Sequence, residues 1–109
     1  MDYEQQAEKA VLYLASTDES HANAKALLSG LQEGRKTVKA IQYMKAIEQG
    51  KAQGVAEQMA YKSDEYAEII SKISDAELEY LTLTNKRKRA ELTIELFRTM
   101  SANQRRGNV

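Results

Sequence analysis

The chain has 109 residues, 42% hydrophobic and 29% charged, with sixteen basic residues balancing sixteen acidic ones, five glycines and no proline. That length bounds it to a single domain, and one phenylalanine with no tryptophan argues against a β-sandwich, whose strands need aromatic and β-branched residues broken by turns. Zero cysteines exclude disulfides, thiolate catalysis and the usual structural zinc sites and fit a reducing compartment. The polar, acidic opening MDYEQQAEKA is unlike a signal peptide, and no apolar run approaches the ~18 residues of a membrane span.

In chain order, residues 2–15 read as a short first helix with Ala7, Ala10, Val11 and Leu14 on one side. Ser16-Thr17-Asp18-Glu19 matches the S/T-x-x-E capping box, so a second helix is expected over about 17–48. Its apolar positions are Ala24, Leu27, Leu28, Leu31, Val38, Ile41, Met44 and Ile47. Gly30 and Gly34 interrupt that pattern and point to close helix packing or a kink. GLQEG lacks the strand, spacing and lysine of a phosphate loop.

Gly50-Lys51-Ala52-Gln53-Gly54 is the clearest break, followed by one or two helical turns over 55–61. Residues 63–103 then read as one long amphipathic helix capped by Ser63, with Asp64 and Glu65 in its first turn. Its stripe is Tyr66, Ile69, Ile73, Ala76, Tyr80, Leu83, Arg87, Ala90, Ile94, Phe97 and Ser101, at spacings of three and four. Residues 104–109 form a tail in which Gly107 and Asn108 act as breakers. The expected fold is all-α: an elongated antiparallel helical hairpin or coiled coil, with a short N-terminal helix and a long C-terminal one.

Charge supports the hairpin. Residues 1–34 hold six acids and two bases, 35–51 five bases and one acid, 52–85 seven acids and two bases, and 86–109 seven bases and two acids. Folding back near Gly50 sets basic against acidic blocks at both ends, and the same pattern also suits an antiparallel dimer. Leu78, Leu81, Leu92, Leu96 and Met100 fall off the stripe, so the first helix is expected to cover part of that surface and a homo-oligomer, dimer or higher, the rest.

Chemistry-bearing constellations are sparse. His21 is the only histidine; set in the polar run Asp18 to Asn23, it reads as a solvated surface residue. No nucleophile–base set, Glu-x-x-His motif or metal-ligand spacing occurs, so no catalytic residue, metal or cofactor is assigned and an enzyme is not expected. The candidate binding segment is basic: Lys86, Arg87, Lys88 and Arg89, then Arg98, Asn103, Gln104, Arg105 and Arg106. Such cations neutralise phosphates and release counterions, and Asn and Gln add hydrogen bonds.

Lys86 to Gly107, KRKRAELTIELFRTMSANQRRG, resembles the end of small uncharacterised coiled-coil proteins of tailed bacteriophages and prophages, often encoded among early or recombination genes. Those proteins close with an aromatic residue, Arg-Ser/Thr, a short variable gap and Ala-Asn-x-Arg; Phe97, Arg98, Thr99, Ala102, Asn103 and Arg105 match. Phe97 stands where tryptophan is commonest in that group. Arg35 to Lys39 and Tyr61 to Tyr66 extend the resemblance to roughly residues 35–107. It implies a phage accessory protein in the host cytoplasm. Two functions follow as expectations: a helical factor contacting DNA, RNA or a recombination protein through its basic region, or an adaptor or inhibitor docking a phage or host protein on an apolar helical face.

Overall fold

The computed structural model describes residues 2–107. The protein is all-α, with α1 (Tyr3–Glu48), α2 (Gln53–Tyr61) and α3 (Asp64–Gly107), and no strand among the described residues. The Asp2 carboxylate caps α1 by accepting from the Gln5 N–H at 3.1 Å. Ser63 caps α3 as its position predicts: its Oγ accepts the Tyr66 N–H at 3.2 Å and donates to the Ala60 carbonyl at 2.7 Å.

α1 ends in a Schellman turn. The Lys51 N–H reaches the Ala46 carbonyl at 3.1 Å and the Gly50 N–H reaches the Ile47 carbonyl at 2.9 Å. Gly50 sits at φ 85°, a left-handed conformation that a side chain disfavours.

Two expected boundaries move. No helix starts at Thr17, because α1 runs through Ser16 to Glu19 without a break. The Ser16 and Thr17 hydroxyls both donate back to the Tyr13 carbonyl, at 3.0 and 2.7 Å, and so serve the preceding turn instead of capping a new one. The separate short N-terminal helix is therefore the first part of α1. At the other end α3 continues through the expected tail to Gly107, and Asn108 and Val109 lie outside the described residues.

The chain packs as two compact units, one pairing α1 up to residue 23 with α3 from residue 81 and the other formed by residues 24–80. In each, the α1 and α3 segments run antiparallel. In the second unit Leu28, Ile73 and Ala76 form a buried cluster, with Leu31, Ile69 and Tyr80 packed on it. Burying a leucine or isoleucine in this way contributes about 1.5–3 kcal/mol. Gly34 allows a close approach, since a Cβ there would lie 3.3 Å from Ile69 Cδ1.

α2 closes the second unit with Ala56 and Ala60, both wholly buried. Glu57 Oε1 lies 3.7 Å from Lys39 Nζ on α1, and Tyr61 meets Tyr66 edge to face with ring centroids 5.5 Å apart.

In the first unit the α1 residues Ala7, Ala10, Leu14, Thr17 and His21 face Leu83, Arg87, Ala90, Ile94 and Phe97 of α3; the three alanines are buried and the others half-buried. Successive spacings of three and four on both helices make this a coiled-coil seam. Small side chains on it bring the backbones close together.

Candidate binding surfaces

The nine basic and amide candidates all lie on α3 of the first unit, but they do not act as one surface. Arg87 turns inward. Its Nη1 donates to the Leu14 carbonyl at 2.9 Å and to Thr17 Oγ1 at 2.7 Å, while Nη2 lies 2.6 Å from Asp18 Oδ1. With three of its five N–H donors so engaged and its side chain only 16% exposed, Arg87 is committed to the helix pair and is a weaker phosphate ligand than the exposed bases beside it. The reason is its place on the inward stripe.

His21 also departs from expectation. It is half-buried on the seam, with Nε2 2.8 Å from Thr84 Oγ1, and is not a solvated surface residue.

Lys86 and Arg89 line one groove of about 540 Å³ together with Gln6, Lys9, Ala10, Tyr13, Ala90 and Thr93. No carboxylate lines it. Among the described residues none of Lys9, Lys86, Lys88 and Arg89 has a carboxylate within 4.0 Å, whereas Lys36, Lys39, Lys72 and Arg87 are each paired. Lys88 is exposed one residue from the groove wall. Lys9, Gln6, Tyr13 and Thr93 join the site only through the antiparallel register, which sets residues 6–13 beside residues 86–93. The sequence signal for them is that register, not local composition.

Arg98 lies elsewhere, on a second groove of about 580 Å³ with Glu4, Ala7, Glu8, Val11, Leu12, Ile94 and Phe97. Phe97 is half-buried there. Gln104 borders a smaller hollow of about 260 Å³ with Asp2, Tyr3, Glu4, Phe97, Met100 and Ser101. Asn103, Arg105 and Arg106 are exposed in the last turns of α3, where Arg105 Nε donates to the Ser101 carbonyl at 3.5 Å.

Of the five off-stripe apolar residues, Leu78, Leu81, Leu92 and Leu96 are exposed and Met100 is half-buried. No group of three or more His, Cys, Asp and Glu residues able to hold a metal ion occurs among the described residues. Among the described residues no helix is long and apolar enough to cross a membrane. No family model, curated protein or solved structure matches the chain.

Proposed function

We propose that the protein is a non-enzymatic helical binding module that holds the phosphate backbone of a nucleic acid, in the phage or prophage setting that its C-terminal resemblance implies. The supporting observation is the groove in which Lys9, Lys86 and Arg89 converge with no carboxylate in its lining. Cations gathered without internal partners repel one another and attract an anion, and a polyanion that displaces its own counterions gains most from them. Tyr13, Gln6 and Thr93 add an aromatic ring and neutral hydrogen-bonding groups beside the cations.

The test is fluorescence anisotropy of labelled single-stranded and duplex oligonucleotides over a range of salt. Saturable binding is expected, and replacing Lys9, Lys86 and Arg89 by alanine is expected to flatten the log–log salt slope for duplex by about 2–3. Arg105→Ala with Arg106→Ala is expected to change it less. No binding at low salt, or an unaltered slope in the triple variant, overturns the reading.

A second reading, a protein adaptor or inhibitor, is favoured by exposed Val55 and Met59, which border a groove of about 460 Å³ with Gly54, Gln58 and Lys62. It requires capture of a protein partner that survives high salt and is lost in Val55→Glu with Met59→Glu.

A further inference from the structure

The groove that contains Arg98 has a different character from the cationic one. Its walls are apolar, formed by Val11 and Leu12 of α1 and by Ile94 and Phe97 of α3. Leu12 is 68% exposed and Val11 52%. Among the described residues of this unit the buried ones are all alanines, Ala7, Ala10 and Ala90, so its larger apolar side chains are only partly covered. An apolar face of this kind gains most from a second helical layer.

The charges around the groove select what that layer is. Its charged lining groups are Glu4 and Glu8, both on α1, and Arg98, on α3. In a two-fold pairing with the axis along the helices, α1 of each copy lies over α3 of the other, antiparallel and at the same level. Glu4 and Glu8 of one copy then approach Arg98 of the other, twice over. With the axis across the helices, α1 lies on α1 and gathers Glu4, Glu8, Asp18 and Glu19 from both copies, which is repulsive.

We propose that this groove is a self-association site: a second copy of the chain docks on it through a two-fold axis parallel to the helices, forming a four-helix layer with α1 facing α3 across the interface. The site lies on the opposite side of the seam from the Lys9–Lys86–Arg89 groove, because Val11 and Arg98 follow seam residues Ala7 and Ile94 by four positions while Tyr13 and Lys86 precede Leu14 and Arg87 by one. The inference therefore stands apart from the phosphate reading.

Sedimentation equilibrium tests it. The wild type is expected to show a concentration-dependent mass approaching twice 12.3 kDa. Leu12→Glu, at an exposed position, is expected to keep the helical circular dichroism and to raise the dimer dissociation constant about ten-fold or more. Glu4→Arg with Glu8→Arg, and separately Arg98→Glu, are each expected to weaken self-association. Mixing these two variants is expected to restore a dimer, since every cross-interface pair is then of opposite sign. A wild type monomeric at all concentrations overturns the proposal, as does a dimer indifferent to Leu12→Glu or a mixture that does not recover.

Discussion

Arg87 Nη2 stands 2.6 Å from Asp18 Oδ1, yet the two side chains are very unequally placed: Arg87 is 16% exposed and Asp18 69%. Arg87 occupies a seam position where most other residues are apolar, so its stem packs between the helices while its guanidinium reaches out to the rim. Leu14 and Thr17 take the remaining bonds. The ion pair is the outer edge of an interhelical clamp, not its main part.

Arg87→Ala is accordingly expected to cost about 2–3 kcal/mol, from lost packing and lost charge-assisted hydrogen bonds. Asp18→Ala, which removes only a well-solvated partner, is expected to cost about 0–1 kcal/mol. Arg87→Lys falls between them, since one ammonium cannot match the forked geometry that serves Leu14, Thr17 and Asp18 together. Urea unfolding followed by circular dichroism measures all three, and equal losses for Arg87→Ala and Asp18→Ala contradict the clamp.

The stripe on α3 was fully legible in the sequence: Tyr66, Ile69, Ile73, Ala76, Tyr80, Leu83, Arg87, Ala90, Ile94, Phe97 and Ser101 are each buried or half-buried. Spacing carried that reading even through a charged residue. α1 was less legible because its seam passes through Thr17 and His21, which hydrophobic periodicity skips, and because Ser16 to Glu19 imitates a helix start. What makes those two positions inward is Arg87 and Thr84 across the hairpin, at separations of 70 and 63 residues. Lys9 escaped notice for the same reason. A lone lysine in an acidic segment acquires its site from the partner helix.

The glycines separate by environment. Gly30 has nothing within 4 Å of the place a Cβ would take, whereas at Gly34 that Cβ would meet Ile69 Cδ1 at 3.3 Å. An unhindered helical glycine gains about 0.5–1 kcal/mol on becoming alanine. Gly30→Ala is therefore expected to raise the thermal midpoint. Gly34→Ala is expected to raise it less or leave it level, because Ile69 must shift. Gly50→Ala is expected to lower it by about 1 kcal/mol of stability, through the φ of 85°. A Gly34→Ala gain equal to that of Gly30→Ala excludes the close approach.

The junction of α1 and α2 carries a pH dependence of definite sign. Lys39 Nζ donates to the Tyr61 hydroxyl at 2.5 Å and sits 4.1 Å from the ring centroid, with Glu57 nearby. The Tyr61 hydrogen bond, helped by electrostatic attraction to Tyr61 and Glu57, holds the Lys39 ammonium above its ordinary range. A lysine whose folded pKa is raised contributes its stability in full below the unfolded value of about 10.4 and loses it as the pH climbs through the folded one. Tyr61→Phe keeps the ring and removes the hydroxyl. Its urea midpoint is therefore expected to lie below that of the wild type at about pH 8, with the gap closing as the pH climbs past the unfolded value of about 10.4 and Lys39 deprotonates in the folded state. A gap that stays constant across that window means the hydroxyl acts through packing, and the ammonium has no part in it.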